Sequence, residues 1–395
     1  MVARRSARIA ARISCLSTDH GGLARMGRRL TVVQLLPALD AGGVERSALE
    51  IADALVQAGH RAIVVSAGGR LVSQLQALGA EHVALDIGRK SLATLRHVPA
   101  LRRLFARERV DIVHARSRLP AWLARLALRG MPAGSAPHFV TTVHGLNSPS
   151  RYSAVMTSGE RVICVSQTVR AYVLQQYPRV DPGKLEVIER GIDPATFPRA
   201  PRPDPGARAR IAALHPQLAG DGPLLLLPGR GTRLKGHADA LRLLSRLRRD
   251  GIDARLWLVG ARQSERGAYI EELEREAAQL DIADAIAVTA PTPAIAEAYA
   301  ASDLVLQLSR KPEAFGRTVI EALSVGRPII GWAHGGVGEL LRQWQPQGAV
   351  LPFDEDGLLR IARELLAGPP LTPVTMPDSL RAMQQATLAL YEQLA

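Results

Sequence analysis

Short apolar runs alternate with longer amphipathic stretches along the chain from Leu30 onward. The runs LTVVQLL, RAIVVSA, HVALDI, DIVHA, HFVTTVH, RVICVS and KLEVIE are apolar nearly throughout. Strands of that texture belong to a parallel sheet covered on both faces. Between the first two lies VERSALEIADALVQAGH, where Leu49, Ala52, Leu55 and Val56 recur near the helical period of about 3.6 residues. Strand and helix in alternation predict a doubly wound α/β unit ending near Glu189.

The pattern then breaks. DPATFPRAPRPDPGARARIAALHPQLAGDGP is rich in Pro and Gly, which predicts an interdomain linker followed by a short helix. Alternation resumes with LLLLPG, RLWLVG, AIAVTA, LVLQLS, RPIIGW and GAVLPF, a second α/β unit. A last helix, SLRAMQQATLALYEQLA, follows the Pro-rich turn PPLTPVTMPD. The boundaries drawn from this are a first domain over 30–198 and a second over 199–378, with a closing helix over 379–395. A length of 395 residues suits two or three domains at about 150 residues each.

Composition narrows the class. Apolar residues make up 47% and charged residues 22%, so sizeable cores can form. Two cysteines, Cys15 and Cys164, argue against a disulfide scaffold or a Cys-based zinc site and suit a reducing cytoplasm. The net charge of +13 is unevenly placed: residues 1–29 hold seven arginines against one acid, Asp19. This tail reads as a disordered extension or as a start placed ahead of Met26. Its Arg- and Ser-rich, acid-poor composition also resembles a transit peptide, and it lacks the apolar run of a signal peptide. Arg96, Arg102, Arg103, Arg107 and Arg109 crowd one helical segment, a face suited to anionic membrane or to solvent. Aromatics are only 4%, too few for base-stacking platforms, so nucleic acid is not an expected partner. No run of about 18 apolar residues predicts a transmembrane helix.

In open parallel sheets ligands bind at the carboxyl ends of the strands, and four candidate motifs fall there. LDAGGVERS places Gly42 and Gly43 ahead of the first helix, where free N–H groups can meet a phosphate or a sugar hydroxyl. It is not GxGxxG, and a plain tight turn explains it equally well. TTVHGLN ends a strand on His144, which can donate to a substrate hydroxyl or simply cap the strand. LLPGRGTRLKGH sets Arg230 and Lys235 around a glycine-rich turn, suited to a diphosphate or to solvent; the P-loop pattern fails at His237. RKPEAFGRTVIEALSVGRPIIGW carries Glu313, then Phe315, Gly316, Arg317 and Thr318 at a helix start, then Glu321. Eight residues on a helix span about 12 Å, so the two carboxylates are expected at the ends of an extended ligand and not sharing a proton. The N–H groups between them suit a diphosphate.

Glu313 and Glu321 in EAFGRTVIEALSVGRPII, the following GGVGE, and Arg230 with Lys235 in GRGTRLKG together resemble the retaining family 4 glycosyltransferases. The resemblance implies the GT-B fold, two Rossmann-like domains facing across a cleft, with the last helix crossing back to the first domain. It implies that Arg230 and Lys235 meet the donor diphosphate and that Glu321 meets the ribose. Glu313 would hold the transferred sugar, and the backbone from Phe315 through Gly316 and Arg317 to Thr318 would meet the phosphates. Gly42 and Gly43 would close on the diphosphate, with His144 near the sugar. The donor would be a nucleotide-diphosphate sugar, UDP-sugar favoured and GDP-mannose second. The acceptor would be a glycan or lipid carrier of lipopolysaccharide-core or surface-glycan type. No cofactor or metal is expected. Many members have an apolar residue after E-G-F-G; here Ala314 and Arg317 depart from that. A sugar-nucleotide epimerase of the same architecture and a non-catalytic binding partner remain alternatives.

Overall fold

The computed structural model describes residues 28–40, 42–132, 134–200, 202–263, 267–368 and 378–395. Most of the basic N-terminal tail, with Cys15 and Met26, lies outside them, as does most of the Pro-rich turn before the last helix.

Every apolar run forms a strand. The first sheet has seven strands in the order β3-β2-β1-β4-β5-β6-β7. They are β1 Thr31–Leu35, β2 Arg61–Ser66, β3 Glu81–Ala84, β4 Ile112–Ala115, β5 His138–Val143, β6 Arg161–Cys164 and β7 Leu185–Val187. The second sheet has six, in the order β10-β9-β8-β11-β12-β13. They are β8 Leu224–Leu226, β9 Arg255–Val259, β10 Ile286–Thr289, β11 Leu304–Gln307, β12 Ile329–Trp332 and β13 Ala349–Val350. All pairings are parallel. Val32, Val33, Leu35, Val64 and Val65 are wholly buried, as strands covered on both faces require.

In each sheet the order reverses beside the first strand, between β1 and β4 and between β8 and β11. The loops leaving these strands carry three of the four motifs; the fourth, with His144, follows the neighbouring β5. The last helix, Ser379–Leu394, packs on Gly43–Gln57 of the first domain. Buried His114 ties it down, its ring bonding Tyr391 Oη at 2.6 Å on one side and Thr142 Oγ1 at 2.6 Å on the other. Gln384 Nε2 adds a bond to the Glu50 carbonyl at 2.8 Å.

Candidate active site in the interdomain cleft

The second domain brings Lys235 and Glu313 together. After β8 the chain turns through Pro228–Thr232 and a short 3-10 turn, Arg233–Lys235, into helix His237–Arg249. Gly236 closes that turn with φ of 74°, and a Cβ there would lie 2.0 Å from the Leu308 carbonyl oxygen. Only glycine lets the turn pass this close to the end of β11. Lys235 Nζ is thereby placed 2.5 Å from Glu313 Oε1. Glu313 also accepts from Ser309 Oγ, and from Gln307 Nε2 at 3.4 Å. Its carbonyl takes the N–H of Gly336 at 2.7 Å, and a Cβ on Gly336 would strike the Phe315 carbonyl at 2.3 Å. Gly335 and Gly336 of GGVGE thus let helix Gly335–Trp344 abut the Glu313–Phe315 backbone. Arg230 is exposed and makes no ion pair among the described residues.

Glu321 lies further in, on helix Arg317–Val325, whose N-cap Gly316 offers no side-chain cap to its free N–H groups. Phe315 is buried behind this entrance and Thr318 is half-buried at it. The helix begins at Arg317, so Glu313 stands in the preceding loop. The expected two-turn helical spacing between the glutamates is therefore corrected: only the stretch from Arg317 to Glu321 is helical. Glu321 is 8% exposed; Tyr299 Oη donates to it at 2.8 Å and Arg317 Nε at 3.0 Å. Burial raises its pKa, while Arg317, Tyr299 and Arg46 pull it back. Arg317 does not stay on its own domain: its Nη2 reaches Glu50 Oε1 of helix Gly43–Gln57 at 3.0 Å.

The first domain contributes a different chemistry. Gly42 and Gly43 are exposed at the start of their helix, with no side-chain cap. His144 is half-buried after β5. Arg190, which follows β7, donates to its Nδ1, so the ring proton sits on Nε2. That Nε2 is buried and has no partner among the described residues. Burial, then Arg190 and Arg116, push the pKa of His144 well down, so the ring is neutral. Arg190 itself is brought down to about 9 by burial and by Arg116. Arg116, 4% exposed, donates to Gln34 Oε1 at 2.7 Å and Ser47 Oγ at 3.2 Å.

The two domains touch directly. Ser166 Oγ donates to the Ala314 carbonyl at 2.6 Å. Glu339 reaches across to helix Gln167–Gln176 and accepts from Gln167 N at 3.0 Å, Thr168 N at 2.9 Å and Thr168 Oγ1 at 3.0 Å. Sequence reasoning did not single out Tyr299, Ser309, Arg46, Glu50, Arg190 or the Glu339 clamp. Ser309, two residues after β11, and Arg190, just past β7, stand where strand ends meet the cleft, and that position was a usable signal. The others depend on long-range approach.

Two Rossmann-like domains closing on such a cleft define the GT-B class of glycosyltransferases. The model described as Glycosyltransferase Family 4 matches residues 41–196, and that described as Glycosyl transferases group 1 matches 215–377. The chain belongs to glycosyltransferase family 4. It is 27% identical to D-inositol 3-phosphate glycosyltransferase 1 of Catenulispora acidiphila over 66% of this chain and 64% of that protein. The chain spans about half to two thirds of the length of the curated relatives it matches. A glycosyltransferase from Rickettsia africae superposes with a TM-score of 0.81 at 26% identity, over 93% of this chain and 99% of that one. HepE of Anabaena in complex with UDP and glucose superposes with a TM-score of 0.77 at 18% identity, over 92% and 100%.

Proposed function

We propose that this chain transfers a hexose or hexosamine, with retention of anomeric configuration, from a nucleotide-diphosphate sugar to a glycan or lipid-linked acceptor. One observation carries the reading: Lys235 and Glu313 meet at 2.5 Å beside an uncapped helix N-terminus, with buried Glu321 one turn inside it. These are three stations in a row for sugar, diphosphate and ribose. Lys235, exposed Arg230 and the helix N–H groups supply positive charge where negative charge grows on the departing diphosphate. The neutral His144, with its free Nε2–H, suits a sugar hydroxyl. The reaction proposed needs no metal, since these groups offset the developing charge.

The donor favoured is a UDP-sugar, in keeping with the UDP and glucose bound by HepE, with GDP-mannose second. The acceptor favoured is of lipopolysaccharide-core or surface-glycan type, met at the cytoplasmic face of a membrane. Supporting that contact, exposed Leu92, Leu95 and Arg96 lie in the 3-10 turn that leads into helix His97–Arg107, which carries exposed Arg103 and Arg107 and is followed by exposed Arg109. A cavity of about 710 Å³ lined by Arg28, Arg102, Arg103 and Arg109 adjoins them. No helix among the described residues is long and apolar enough to cross a membrane.

The test is a thermal-shift screen against UDP, GDP and ADP and their common sugars, followed by turnover with and without acceptor extracts and with EDTA. Nucleoside diphosphate released only with acceptor, and unchanged by EDTA, is the expected result. An epimerised nucleotide sugar formed without acceptor overturns the assignment.

A further inference from the structure

Arg317 stands where the family resemblance leads one to expect an apolar residue, and its guanidinium serves two carboxylates in different domains. Nε bonds Glu321 Oε1 at 3.0 Å and Nη2 bonds Glu50 Oε1 at 3.0 Å. Both acids are largely covered, with side-chain exposures of 11% and 12%. The second oxygen of Glu50 is buried and has no partner among the described residues, so Arg317 is the group that bonds this carboxylate. Without it Glu50 would keep a buried charge with no hydrogen bond, an expensive state. Glu50 also holds the last helix through its backbone carbonyl.

We propose that Arg317 is a positioning residue for the donor: it fixes the carboxylate expected at the ribose and at the same time ties it to the first helix of the facing domain. This deepens the reading above and rests on it. The planar fork is what makes the role feasible, because two N–H groups leave one edge of the guanidinium in fixed directions. An ammonium is a point charge and cannot copy that edge. Two consequences follow. Arg317 works against the burial that raises the Glu321 pKa, and so favours the carboxylate form that accepts from ribose hydroxyls. Donor contact with Glu321 is also coupled to closure of the two domains.

The charged and titratable groups facing Glu321 are Arg317 on its own helix, Tyr299 on helix Ile295–Ala301, and Arg46 at 3.9 Å on Gly43–Gln57. Burial works against the charge on Arg317, and Glu50 and Glu321 outweigh it. Removing Arg317 takes away the largest influence holding the Glu321 pKa down. The donor kcat/KM then falls off at higher pH as pH is lowered.

The experiment measures donor KM, kcat and the pH profile of kcat/KM for the wild type, Arg317→Leu, Arg317→Lys and Glu50→Gln, using the nucleotide sugar the wild type turns over. Arg317→Leu is expected to raise donor KM about tenfold or more and to move the acid limb of kcat/KM upward by about one pH unit. Arg317→Lys is expected to restore the limb and not the KM. Glu50→Gln, which keeps the Arg317–Glu321 pair, is expected to raise KM about threefold with the limb unmoved. A folded Arg317→Leu with KM and pH limb within twofold of wild type overturns the proposal; so does an unchanged KM in Glu50→Gln, the variant to use should Arg317→Leu not fold. A merely structural ion pair lowers the melting temperature and leaves the limb in place. A wild type with no turnover of any nucleotide sugar defeats the functional reading itself, a separate outcome.

Discussion

The two faces of the cleft are built by opposite means. On the second domain, chemistry lies in loops and at a helix start: Lys235 and Glu313 are paired, partly exposed at the mouth and brought together by glycines at strand ends, with Glu321 buried one turn inside the helix. On the first domain the polar groups sink beneath the surface and outnumber their partners. Arg116, Arg190, His114 and His144 crowd together, and Arg116 Nη2 and His144 Nε2 have no bond among the described residues. One face holds charge ready to be exchanged for ligand. The other holds donors rigidly, with burial keeping the imidazoles neutral.

Four measurements break or sharpen this contrast. The largest effect is expected from Lys235→Ala, which removes charge from the diphosphate station and should cost about 100- to 1000-fold in kcat. Near-normal consumption of nucleotide sugar by that variant refutes the loop-borne half of the comparison. Next, Glu321→Gln should raise donor KM by roughly tenfold or more, since a charge-assisted bond becomes a neutral one; calorimetric titration with nucleotide separates this from a loss of kcat. Third, His144 should not titrate in the activity profile near pH 6.5, because burial and Arg190 hold it neutral. His144→Gln, which keeps a donor, should retain more activity than His144→Ala, and an activity limb that vanishes in both shows the ring was ionising after all. The smallest effect concerns stability. His114 has its folded pKa depressed by burial and by Arg116 and Arg190. The folded state therefore takes up fewer protons than the unfolded one, and stability is lost as pH falls below the unfolded value of about 6.5. Melting temperature followed from pH 7.5 to 5 should fall, and fall less steeply in His114→Gln.

The same contrast explains what was legible in the sequence. Both sheets were readable because fully buried strands leave unbroken apolar runs, and even the three-residue β8 was visible as LLLL. Several runs extended past the strand proper: DIVHA was right to its end, while HVALDI lost its last three residues to the loop after Ala84. Apolar residues at strand exits bury themselves against the next turn without pairing. Lys235 and Glu313 were legible because loops that turn tightly at strand ends carry local glycine signatures, and Glu321 because the helix that holds it starts at such a glycine, Gly316. The spacing of the two glutamates was misjudged because Gly316, with φ of 105°, delays the helix to Arg317. Arg317 itself was read, from its neighbours in the chain, as part of the backbone that meets the phosphates. Its reach to Glu50, 267 positions away, is a property of the closed fold that no local pattern encodes.

The carboxylate of Glu339 on the end of helix Gln167–Gln176 has one more implication. The first N–H groups of a helix need an acceptor, and here it comes from the other domain. When the domains part, those N–H groups and both oxygens of Glu339 must each find water. Opening is therefore a wetting event and closure a drying one. Solutes excluded from protein surfaces should bias the cleft shut, and the interval between turnovers should lengthen with osmolality even where the chemical step is untouched.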